Sequence, residues 1–143
     1  MGQKLKQKLI DAYMKTAETF AELSHARRLH VGAIVVKDDR IISIGYNGMP
    51  AGWDNNCENA LKDGTLKTKP EVLHAETNAI AKLARSNESG LDSDLFVTHA
   101  PCLDCAKLIY QAGIRRVWFG AAYRDDAGIH FLKNSGVEVT QIE

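Results

Sequence analysis

The sequence has no excess of charge of either sign, no long apolar run, and too few cysteines, in an odd number, to build a disulfide framework. Lysine plus arginine balance aspartate plus glutamate at 18 each. No net field therefore draws the whole chain to nucleic acid or to an anionic membrane, and a polyanion would need a local patch. No stretch approaches the roughly 18 apolar residues of a membrane span. The opening MGQKLKQKLIDAYMKTAETF is too charged for the apolar core of a signal peptide. Lys6 stands where a myristoylation pattern requires Ser or Thr. These absences predict a soluble cytoplasmic protein with no membrane partner. Three cysteines in 143 residues point to thiols kept reduced, so metal binding or catalysis is the better use for a close pair. With 45% hydrophobic and 25% charged residues, a single compact domain over residues 1–143 is expected.

What is present reads as an α/β chain. Leu5, Leu9, Ala12, Tyr13, Thr16, Ala17 and Phe20 recur at helical spacing and predict an amphipathic helix over about residues 4–23. VGAIVV (31–36) and IISIGY (41–46) read as strands joined by a polar link, Lys37 to Arg40, short enough for a hairpin. Residues 47–70 are dense in Gly, Asn, Asp and Pro and predict a long loop of functional character. A helix then starts near His74, and strand and helix alternate to the end: strands at 94–99, 116–120 and 137–142, helices at about 102–112 and 127–134. Alternating elements of this kind predict a mostly parallel sheet covered on both faces, with the first hairpin as its antiparallel portion. Functional residues are expected at the C-terminal ends of the strands.

Cys102 and Cys105, in APCLDC, pose the chemical question. Taken alone the pair has four readings: a disulfide, a redox couple, half of a structural zinc site, or part of an active centre. Pro101 and the strand before it place both thiols in the opening turn of a helix, where exposed N–H groups and the helix dipole favour thiolate. His74 and Glu76 lie at another helix start. One imidazole and two thiolates make three ligands, and zinc with three protein ligands keeps a position open for water, whereas structural zinc is normally closed by four. Such a metal would make hydroxide available near neutral pH. Glu76 is two residues from His74, which in a regular helix turns the side chains far apart. Both serve one site if His74 is the cap and Glu76 reaches in from the first turn, as a proton shuttle.

Blander readings stand beside these. A lone His74 would be a partly buried structural histidine, and a lone Glu76 an ordinary first-turn carboxylate; their coincidence with the cysteines sets those aside. Cys57, in a polar segment with no second cysteine nearby, reads as a free thiol. His25, His30, His99 and His130 are scattered and read as structural or solvent-facing. Arg27-Arg28 could hold a phosphate or be an exposed basic pair, and Tyr123-Arg124 has the same ambiguity.

His-x-Glu followed by Pro-Cys-x-x-Cys matches the signature of the zinc nucleobase deaminases. Within them the sequence resembles the deoxycytidylate deaminases, from about residue 24 to the C-terminus, through HVGAIVV, IISIGYNGMPAG, HAETNAIAKL and PCLDCAKLIYQAGIRRV. GYNGMPAG discriminates, since tRNA adenosine deaminases typically carry a different loop, and free-cytidine deaminases typically have Cys in place of His74. The resemblance implies a three-layer α/β/α sandwich around a five-stranded mixed sheet, a homohexamer, and hydrolysis of dCMP to dUMP and ammonia, a step toward thymidylate. It implies Zn2+ on His74, Cys102 and Cys105, with Glu76 as the catalytic proton carrier. Asn47, Tyr123 and Ala75 would face the substrate, and Ser24, Arg27 and Arg124 its 5′-phosphate. It also implies activation by dCTP and inhibition by dTTP with Mg2+ on the triphosphate, for which Gly45, Tyr46 and Gly48 would provide the backbone approach. Some relatives hold a second, structural zinc. Ala26 stands where a further cysteine would help to form it, so one zinc per subunit is expected. The balanced charge disfavours an RNA substrate, and Glu76 disfavours a catalytically silent subunit.

Overall fold

The structure, a computed structural model, describes residues 4–123 and 125–142. Helix α1 (Gln7–Ala21) leads into strands β1 (Gly32–Lys37) and β2 (Arg40–Tyr46). A small hairpin follows, β3 (Glu58–Ala60) with β4 (Leu66–Thr68), and then helix α2 (Ala75–Ala84). The remainder alternates as β5 (Asp94–His99), α3 (Leu103–Gln111), β6 (Arg116–Ala121), α4 (Ala127–Asn134) and β7 (Glu138–Gln141).

The five long strands form one sheet in the order β2-β1-β5-β6-β7. β1 pairs antiparallel with both β2 and β5, while β5–β6 and β6–β7 are parallel. The expectation of an antiparallel hairpin attached to a parallel sheet is therefore sharpened. The β2-to-β5 connection carries the chain across β1, so β1 is enclosed and is the one strand of reversed direction. This has a consequence for function. The C-terminal ends of β2, β5 and β6 and the N-terminal end of β1 all lie at the same edge of the sheet.

Both faces of the sheet are covered, and the strands alternate between them as a pleat requires. Ile34, Val36 and Phe96 face α1, packing with Ile10, Tyr13, Met14 and Ala17. Ala33, Val35, Leu95 and Val97 face the other way, toward Ala75, Ala79, Leu83, Ile109 and Leu132 of α2, α3 and α4. On the α1 side, Phe96 stacks on Trp118 with ring centroids 5.7 Å apart. The β1–β2 turn has Asp38 and Asp39 at φ 51° and 60°, the left-handed pair of a two-residue hairpin loop. No helix among the described residues is long and apolar enough to cross a membrane.

The long loop expected over residues 47–70 contains the β3–β4 hairpin, whose turn includes Gly64 at φ 86°. Its Asp63-Gly64 step is a hairpin signal that the high polarity of the segment obscures. At Gly45 the structure departs from the expected phosphate approach. A side chain there would collide with the Ala75 carbonyl oxygen and the Ala79 N–H, because α2 lies directly on the strand. Gly45 makes room for helix backbone. We expect Gly45→Ala to destabilise the protein by about 3 kcal/mol through overpacking against atoms that cannot yield, read as a lower urea midpoint at unchanged slope.

Candidate active site

His74 is the N-cap residue of α2 and Cys102 that of α3, each with extended backbone (φ −75°, ψ 157° and φ −73°, ψ 172°). Two helix N-termini thus meet at the functional edge of the sheet, both presenting unpaired N–H groups and positive dipole ends. His74 Nδ1 lies 3.3 Å from Cys105 Sγ and 3.5 Å from Cys102 Sγ. The three donor atoms lie within 4.8 Å of one another. Ligands about 2.0–2.3 Å from one ion at tetrahedral angles would stand roughly 3.5 Å apart, so this donor set has the separations and the softness that zinc requires. Among the described residues it is the one cluster of three such donors.

The thiols are not equivalent. Hydrogen bonds from Cys105 and from His74 push Cys102 down to about 4, and His74 is raised in turn by that bond with Cys102. Cys105, the donor in the pair and largely buried, is pushed up. Thr77, one turn into α2, places Oγ1 3.8 Å from Cys105 Sγ, a neighbour that the sequence pattern alone did not single out.

Glu76 is 4% exposed, with its carboxyl beside this cluster. Burial raises its pKa from 4.5 to about 7. A group poised there takes up and gives back a proton near neutral pH, as a general acid–base requires. The geometry also resolves the two-residue spacing: His74 as cap and Glu76 in the first turn line a single cavity.

That cavity has a volume of about 580 Å³, within the range of small-molecule sites. Its walls come from the converging strand ends: Val31 before β1, Asn47 after β2, His99 and Ala100 at the end of β5, and Ala121 to Tyr123 at the end of β6. Ala75, Glu76 and Cys102 form the reaction end, while Arg28, Glu58 and Thr68 belong to the hairpin side. Tyr123 stands at the wall, 41% exposed.

The other expected site residues divide by position. Asn47 lines the cavity, but its amide also clamps backbone: Oδ1 accepts from Val31 N–H at 2.9 Å and Nδ2 donates to the Leu29 carbonyl at 2.8 Å. Ser24 is buried and donates to the Asn47 carbonyl at 2.8 Å, so it supports Asn47 from behind. Arg27 is not among the described lining residues and bonds to Glu58 and Asn56, whereas its neighbour Arg28 lines the wall. Arg124 falls outside the described residues. Tyr46 carries its carbonyl to Asn78 Nδ2 at 2.8 Å, and Gly48 has open space beside it. Cys57 is buried, with Sγ 3.5 Å from the Asn55 carbonyl.

His99 was not expected at the site. Its position at the end of a central strand, three residues before Cys102, is the signal that would have found it. Burial lowers its pKa, which favours the neutral ring, and Nδ1 lies 2.9 Å from Thr98 Oγ1.

Residues 7–121 match the family model described as the cytidine and deoxycytidylate deaminase zinc-binding region. The chain belongs to this family. Among solved structures, the dCMP deaminase of cyanophage S-TIM5 in complex with dCMP and dUMP is 48% identical, with TM-score 0.91, over 97% of this chain and all of that one. The deoxycytidylate deaminase of Enterobacteria phage T4 is 33% identical over 151 residues, covering 78% of each chain. The human deoxycytidylate deaminase is 40% identical over 116 residues, 75% of this chain and 61% of its own. The five-stranded α/β architecture agrees with the fold that the resemblance implied.

Two outcomes are expected from the site. Metal analysis of the dialysed protein returns one zinc per chain, and Cys105→Ser, which replaces a soft thiolate by a hydroxyl, leaves well under half of that. The second concerns Glu58, 1% exposed. Burial works to raise its pKa, but N–H bonds from Arg28 and Arg27 and the Arg27 guanidinium outweigh it, and the value falls below 4.5. A depressed carboxylate pKa contributes stability that is complete above the unfolded value and is lost as pH falls through the folded one. Hydrogen exchange at the Arg27 and Arg28 amides should therefore lose protection as pH falls below 4.5 and through the depressed Glu58 value, beyond the intrinsic pH effect.

Proposed function

We propose that this protein hydrolyses dCMP to dUMP and ammonia, supplying dUMP for thymidylate synthesis. The observation that carries the reading is one cavity lined by two unlike sets of groups. His74 and Cys102 of the donor triad and the buried Glu76 carboxyl line it, and Arg28 is the one lysine or arginine among the described lining residues. The 48% identity to a dCMP deaminase that binds dCMP and dUMP supports the substrate.

Zinc held by His74, Cys102 and Cys105 would supply Lewis acidity that brings the pKa of a water close to 7. Proton transfer belongs to Glu76. As carboxylate it accepts a proton from the water that attacks C4 of the cytosine ring. As acid it gives that proton to ring N3, then takes a second from the C4 hydroxyl of the adduct and passes it to the departing amino group. The C4–N bond breaks, oxygen replaces nitrogen at C4, and one water is consumed for each ammonia released. Burial holds Glu76 near neutrality for both directions of transfer and keeps bulk water from competing. The clamp of Asn47 on Leu29 and Val31 supports its assignment to the sugar, and the place of Tyr123 on the cavity wall supports a ring beside the base or sugar. Neutral His99 adds a polar wall without adding charge.

The resemblance further supports a homohexamer activated by dCTP and inhibited by dTTP. Of the two glycines assigned to an effector, Gly48 is the one with room beside it.

The decisive measurement is ammonia release from dCMP, deoxycytidine, CMP and dCTP by wild type and Glu76→Gln. Wild type is expected to favour dCMP. The Gln variant, nearly isosteric but unable to carry the proton, should lose about 10²–10⁴-fold in kcat with dCMP. Full turnover by Glu76→Gln would remove the mechanism, and preference for the unphosphorylated nucleoside would remove the substrate.

A further inference from the structure

The β3–β4 hairpin is tied to the 27–28 segment at two points. Glu58, in β3, is a buried carboxylate on the cavity wall that the deamination chemistry does not use. Its Oε2 accepts both the Arg27 N–H at 2.9 Å and the Arg28 N–H at 3.1 Å, while Oε1 takes Arg27 Nε at 3.3 Å. Thr68, in β4, accepts Arg28 Nη1 at 3.1 Å through Oγ1. The result is asymmetric. Arg27 has its charge matched by Glu58, whereas the Arg28 guanidinium is oriented by a neutral hydroxyl and makes no ion pair among the described residues. An arginine aimed by a neutral group keeps its charge and its remaining N–H fork for an incoming anion.

We infer that Glu58 and Thr68 are positioning residues: through them the hairpin holds Arg28 toward the cavity to read the anionic end of the substrate and set the preference for a nucleotide over a nucleoside. Glu58 acts on the backbone of residue 28 and Thr68 on its side chain. Neither touches the substrate. The inference rests on the dCMP reading.

The test is kcat/KM for dCMP and for deoxycytidine in wild type, Arg28→Gln, Glu58→Gln, Thr68→Val and Thr68→Ser. A merely structural role would lower both substrates together, whereas positioning of Arg28 lowers the dCMP-to-deoxycytidine ratio. Loss of a charge-assisted contact in Arg28→Gln should lower that ratio by about 30-fold or more, and Thr68→Val, which removes one neutral acceptor, by about 3–10-fold. Thr68→Ser, which restores the hydroxyl, should recover most of it. Glu58→Gln presents an amide to two N–H donors and should cost the ratio about 10-fold. Thr68 is exposed, so its variants test the idea even if Glu58→Gln folds poorly. Equal losses on both substrates, an unchanged ratio in Arg28→Gln, or no recovery in Thr68→Ser overturns the assignment. A wild type that prefers deoxycytidine overturns the substrate reading itself, and this assignment with it.

Discussion

The site depends on two places where backbone touches backbone. At Gly45 the helix α2 lies on strand β2 without an intervening side chain. Ser43 Oγ donates to the Ala79 carbonyl at 2.6 Å, and Asn78 Nδ2 and Lys82 Nζ each reach a β2 carbonyl at 2.8 Å, so helix and strand are locked in register. At Gly128 the start of α4 presses on the Pro101 carbonyl and on Cys102, again where a methyl group would not fit. The first contact fixes where α2 begins, and so fixes His74 and Glu76. The second fixes the turn that carries Cys102. Metal ligands held by caps at the ends of rigid elements are placed more accurately than ligands on free loops.

Precision of this kind conflicts with stability at Glu76. Burial destabilises its charged form, and the folded protein binds the Glu76 proton more tightly than the unfolded chain does. Between the unfolded value of 4.5 and about 7, Glu76 therefore subtracts from stability as pH rises. Glu58 has the opposite sign. It is equally buried but is saturated with donors, and its ionised form holds two pieces of chain together. Two glutamates share the walls of one cavity with different tasks, and the difference lies in the donors each has been given. A carboxylate satisfied by N–H groups is a fastener, and one short of them is an acid–base.

How much of this could be read from the residues follows the same physics. His74, Glu76, Cys102 and Cys105 were legible because metal and proton chemistry demand few residue types at short spacings on helix starts. The strands of the core were legible from their apolar runs. The reversal of β1 within the sheet was not, because strand order is set by which helix crosses which strand and leaves no local trace. Arg27 and Arg28 show a sharper limit. They are adjacent, identical in kind, and separated in role by a carboxylate about 30 residues later in the chain. The β3–β4 hairpin was hidden because three-residue strands among polar residues lack periodicity, although Asp63-Gly64 marked the turn. His99 was passed over as one of several scattered histidines, when its place at the end of β5 carried the information.

The charge of the cavity bears on which substrate it fits. A polynucleotide is held by several phosphates, each met by a Lys or Arg, and its affinity rises with the number of cations engaged. The lining described here offers Arg28, with Arg27 already matched by Glu58. One unmatched cation among the described lining residues of a cavity of about 580 Å³ that also holds the acid–base and His74 and Cys102 suits a ligand with one anionic terminus and one reactive ring. A nucleoside leaves the arginine without a partner, and among the described lining residues Arg28 is the one cation that could meet a phosphate. The balanced composition, 18 charges of each sign, points the same way at the scale of the whole chain. The electrostatics thus favour a mononucleotide from both the largest and the smallest view of the molecule.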